Sequence, residues 1–178
     1  MNRLKIGFVL CLVANLSIAG EWFSKKNYVS YESDDGRKLE MMYHPEPGIV
    51  LGISGHSQHN NVCERMLPYG KKRPNLLGDY EEVQLGLANV NGTYVKMAAV
   101  CLADSTDVST GDNLFWNAEV QPDSHQGKMY FLGQLLEGKG LTIEFDTPYL
   151  DTFVVEPEIG TSHFKDFIDD SIKKMKAL

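Results

Sequence analysis

His56, His59 and Cys63 stand in the pattern H-x2-H-x3-C within ISGHSQHNNVCER, residues 53–65. Imidazole nitrogens suit zinc or copper, and a cysteine thiolate would supply a third of four tetrahedral ligands. Two features oppose that chemistry. Histidines three apart share a face only on a helix, whereas Gly55 and Asn60-Asn61 favour a loop. The thiolate, moreover, exists only if Cys63 is unpaired. A metal site without it needs His56 and His59 to be joined by His44, His125 or His163 from elsewhere in the chain.

The same segment offers a nucleophile. Gly52-Ile53-Ser54-Gly55-His56 follows a strand-like run, as a nucleophile elbow does, but His56 occupies the position where the sharp turn requires glycine. The parallel sheet and long crossover helices that such an elbow needs have no counterpart in the pattern of elements. Asp104, Asp107 and Asp112 do not match the spacing of a calcium loop. Gly133, Gly138 and Gly140 lack the spacing and preceding strand of a phosphate loop. Among 24 acidic residues no pair is singled out for acid–base work. Phe115 and Trp116 are the remaining candidates. As neighbours on one strand they face opposite ways, so an aromatic anchor for a partner can arise there.

Which chemistry survives depends on the compartment. Arg3 and Lys5 form a basic end, Ile6 to Ala14 is an apolar run of nine residues, and Ser17 and Ala19 are small. That order is a secretory signal peptide over residues 1–19. The run is far shorter than the ~20 residues of a membrane-spanning helix, so no stable membrane anchor is expected. Cleavage leaves 159 residues, 20–178, and removes Cys11. Cys63 and Cys101 are then the only cysteines, and an exported pair in a periplasmic or secreted setting is expected to form one disulfide. Its 38-residue separation is worth about 4 kcal/mol by loop-closure entropy. Cys63 becomes scaffold instead of ligand or nucleophile.

Loss of Arg3 and Lys5 leaves fifteen cations against 24 acids, a net charge of −9. Such a surface repels nucleic acid and suits a basic partner. The compact basic cluster Lys71-Lys72-Arg73 lies among loop residues.

Short alternating segments separated by turn residues dominate the chain, as in β proteins. Residues 28–43 are expected to form a hairpin about Asp35-Gly36, and 49–53 a strand. Residues 82–102 are expected to form a long hairpin about Asn91-Gly92, a pair that tolerates positive φ. The glycosylation triplet Asn91-Gly92-Thr93 coincides with that turn. Strands follow at 114–120, 141–145 and 153–155. Two helices are expected, at about 126–137 behind Ser124 and at 162–176 behind Thr161 or Ser162. Met129, Leu132, Leu135 and Leu136 share a face of the first; Phe164, Phe167, Ile168, Ile172 and Met175 form a stripe on the second. The fold expected is mainly β with some α: an antiparallel β-sandwich or curled sheet plus two helices, in a single domain over 20–178.

Export, acidity and the absence of a complete catalytic motif favour a non-enzymatic module that binds another protein. A periplasmic immunity protein or inhibitor directed at a toxin or hydrolase is the concrete form. A metal-binding protein using His56 and His59 is the alternative, and a serine hydrolase using Ser54 the second. No cofactor is expected.

Overall fold

A computed structural model describes residues 20–46, 48–55, 62–105, 114–159 and 162–176. Residues 1–19, expected to be a signal peptide, and His56, His59 and Thr161 lie outside the described residues. Among the described residues nine strands form one antiparallel sheet: β1 Glu21–Lys25, β2 Tyr28–Glu32, β3 Lys38–His44, β4 Gly48–Ser54, β5 Tyr80–Val90, β6 Thr93–Ser105, β7 Leu114–Pro122, β8 Leu141–Phe145 and β9 Phe153–Val155. Their spatial order is β1-β2-β3-β4-β7-β6-β5-β8-β9. The sheet curls into a half-barrel, which resolves the expected choice in favour of the curled sheet. Three helices accompany it: α1 Val62–Met66, α2 His125–Leu136 and α3 His163–Met175.

Alternation sorts the side chains onto two faces. Directly paired residues share a face, so the register Tyr31↔Leu39↔Ile53↔Val120↔Ala99↔Val83 traces the inner one across six strands. All six are buried. Phe131 of α2 and Phe164, Phe167 and Ile168 of α3 join the same core.

The long hairpin turns where its sequence requires, with Asn91 at φ 48° and Gly92 at φ 85°. Asn91 does more than turn. Its amide donates to Gln134 and to the Gly140 carbonyl, and its oxygen accepts the Thr142 N–H at 2.8 Å. The hairpin tip thereby holds α2 and β8.

Strict alternation through β5 fails at one point. The register shifts between Gln84 and Gly86, and Gly86 has φ 84°. An extra residue in a bulge exchanges the faces beyond it. Leu87 therefore faces outward, half exposed, while Ala88 and Val90 are buried.

Two further departures have simple causes. β1, EWFSK, carries too few apolar residues to read as a strand, because it is an edge strand exposed along most of its length. In α2, Leu132 and Leu135 are buried as expected, but Met129 and Leu136 are exposed and Phe131 is fully buried. Apolar residues surround this helix, so its spacing alone did not fix the inward face. Ser124 caps it as expected by accepting the Gly127 N–H at 3.0 Å. On α3, Phe164, Phe167 and Ile168 are buried while Ile172 and Met175 are partly exposed. Glu158, not Ser162, receives the first N–H groups of α3, those of His163 and Phe164, at 2.7 and 3.1 Å.

Side chains join the two ends of the curl. The Trp22 indole of β1 donates to the Glu156 carbonyl beyond β9 at 3.1 Å. Arg37, in the β2–β3 turn, donates to the carbonyls of Asp151 and Thr152 at 3.1 and 2.8 Å and lies 5.1 Å from the centre of the Phe153 ring. Asp35 holds the same guanidinium, whose hydrogen bond keeps its carboxyl down at about 2.

Candidate functional site

The two sulfurs of Cys63 and Cys101 lie 2.07 Å apart, at bonding distance, and both residues are fully buried. The link fastens α1 to β6, so Cys63 is structural. Of the histidines, His44 ends β3 while His125 and His163 begin α2 and α3. No group of three or more His, Cys, Asp or Glu positioned to hold a metal occurs among the described residues.

Ser54 closes β4 on the outer face. Its hydroxyl donates to Glu40 Oε2 at 3.0 Å, and the other oxygen of Glu40 accepts the Tyr28 hydroxyl at 2.6 Å. Activating a serine takes a base within hydrogen-bond reach, most often an imidazole. Among the described residues the group bonded to Ser54 is a carboxylate. Glu119 adjoins this cluster, lying across Gly52 so closely that a Cβ there would clash with its carboxylate.

Burial first, and the charge of Glu40 second, raise the Glu119 carboxyl above the usual glutamate range, with Lys128 opposing. A raised carboxyl binds protons in the folded state that the unfolded chain has already released. Its stabilising contribution is whole below the unfolded value and falls away as pH rises through the folded one. Glu119→Gln should therefore be more stable than the wild type at pH 7, with the gap closing toward pH 4. Urea unfolding across that range measures it.

The aromatic pair divides as alternation requires. Trp116 faces inward, 3% exposed, and its indole donates to the Lys71 carbonyl at 2.9 Å, tethering the basic loop. It cannot meet a partner. Phe115 faces outward and is half-buried. Its register partner is Asp104, one pleat from Leu102, which pairs in turn with Tyr80. Leu102 is 42% exposed and Tyr80 71%. Phe115, Leu102 and Tyr80 thus run diagonally across β7, β6 and β5 on one rigid face.

The preceding loop extends this row. Asp79 accepts the N–H groups of Asn75 and Leu76 at 3.0 and 2.9 Å, and its own carbonyl accepts the Ala103 N–H at 2.8 Å. Those bonds hold Leu76 and Leu77 beside β6, both more than half exposed. Glu82 and Asp104, exposed on the same sheet face, give the patch an acidic margin.

Sequence reasoning reached Phe115 but missed Tyr80, Leu102, Leu76 and Leu77. One signal was available: Leu102 follows the buried Cys101 directly, so alternation sends it outward. Comparison with protein-family models, with curated proteins and with solved structures finds no match for this chain.

Proposed function

We propose that the chain is an exported, non-enzymatic module that binds another protein through the outer face of β5–β6–β7. The observation carrying this reading is the Phe115–Leu102–Tyr80 row on a rigid sheet, with Leu76 and Leu77 exposed on the loop that precedes it. Contiguous exposed apolar patches mark interaction sites more often than single exposed residues do. Aromatic anchors surrounded by polar residues are the usual form of an interface hot spot. The acidic margin of Glu82 and Asp104 and the net negative charge fit a basic partner, which opposed potentials would draw in. An immunity protein or inhibitor, blocking a basic toxin or hydrolase in the periplasm or outside the cell, is the concrete form.

Pull-down from a periplasmic extract tests the reading. The wild type should retain a partner that weakens as salt is raised. Tyr80→Asp/Leu102→Asp should retain at least tenfold less, since each anchor truncation of this kind costs about 2 kcal/mol or more. Both positions are exposed, so the variant's unfolding midpoint should stay near that of the wild type. Retention unchanged by the double variant would refute the assignment of this face.

A further inference from the structure

We propose a second site, apart from the Phe115–Leu102–Tyr80 row: a cleft that takes a small amphiphile with an apolar body and one anionic head. The cleft lies between the start of β4, the first turns of α2 and the end of α3, and encloses about 320 Å³. Its apolar surface comes from Ile49, Met129, Leu132 and Met175. Leu132 is buried, while Met129 is 51% exposed and Met175 44%. Two flexible thioethers at the mouth of an apolar floor make an adaptable surface.

The charge in the cleft gives the class of ligand. Lys128 lines it, half-buried, and its ammonium forms no ion pair or side-chain hydrogen bond among the described residues. A cation without an ion pair at the edge of an apolar floor is free to form a charge-assisted hydrogen bond with an incoming anion. The other polar groups of the lining are already engaged or peripheral. Asp123 bonds Lys96 at 2.8 Å, Ser124 caps α2, and His125 is exposed at the rim. Glu119 feels the charge of Lys128 without pairing with it.

A third group adjoins the floor. Tyr43, the register partner of Ile49, is 7% exposed, and its hydroxyl has no hydrogen-bond partner among the described residues. The volume stands near the lower end of the roughly 300–1,000 Å³ of small-ligand clefts. A short acyl carboxylate fits that space, and a two-chain phospholipid does not.

Titration of the mature protein, its methionine methyls labelled with carbon-13, tests the site with decanoate and decanol as probes. Decanoate should shift Met129 and Met175 saturably and leave the core residues Met41 and Met97 in place. Lys128→Gln should weaken decanoate at least tenfold, Lys128→Arg should restore it, and decanol should bind the wild type no better than it binds Lys128→Gln. Absence of a saturable shift, a shift spread over all methionines, or equal decanoate binding by wild type and Lys128→Gln would each overturn the proposal. Met129 and Met175 line the cleft and Tyr80 and Leu102 do not, so decanoate shifts at these methyls that persist in Tyr80→Asp/Leu102→Asp are independent of the protein-binding reading.

Discussion

Cys63→Ala/Cys101→Ala should unfold with a free energy about 4 kcal/mol smaller than the wild type, the loop-closure value for a 38-residue separation. Net stabilities of single domains run roughly 5–15 kcal/mol, so this loss takes a large share of the total. The link matters here because of what it joins. α1 is five residues long, too short to persist alone, and it is fixed to the longest strand, β6. Reductant should lower the wild-type midpoint in urea by the same amount and leave the double variant unchanged. Equal midpoints for wild type and variant would show that the bond contributes nothing.

Phe153→Ala should cost about 3–5 kcal/mol, the usual range for emptying a buried aromatic site. Phe153 is 1% exposed in a strand of three residues that pairs with β8 alone. So short an edge has little backbone bonding of its own and depends on the ring. Arg37 stacks over that ring while binding the carbonyls of Asp151 and Thr152, so loss of the ring also leaves the guanidinium without its platform. Urea unfolding measures the stability change. Amide exchange should show residues 153–155 opening first.

Much of the fold was legible because short-range physics decides it. Asn91-Gly92 and Asp35-Gly36 allow tight turns, alternation marks the strands between them, and Ser124 caps α2. Failures came where tertiary context decides. A bulge at Gly86 exchanged the faces of Leu87 and Ala88, an edge position made a strand of EWFSK, and apolar residues all round α2 hid its inward side. The candidate site was legible in part. Cys63 and Cys101 are paired, as expected once Cys11 is set aside, and Phe115 emerged from alternation. Tyr80 joins Leu102 only through the β5–β6 register, and Leu76 joins them only through hydrogen bonds to Asp79, neither of which local pattern contains.

The outer-face assignment meets its most direct test in photo-crosslinking within cells that produce the full chain, with a benzophenone amino acid at Tyr80 or, for comparison, at Tyr94. Both are similarly exposed, at 71% and 72%, and Tyr94 adjoins the opposite end of the same hairpin. A discrete adduct with another protein from position 80, and none from position 94, is the expected result. No adduct from position 80, or the same adduct from both, would contradict the account.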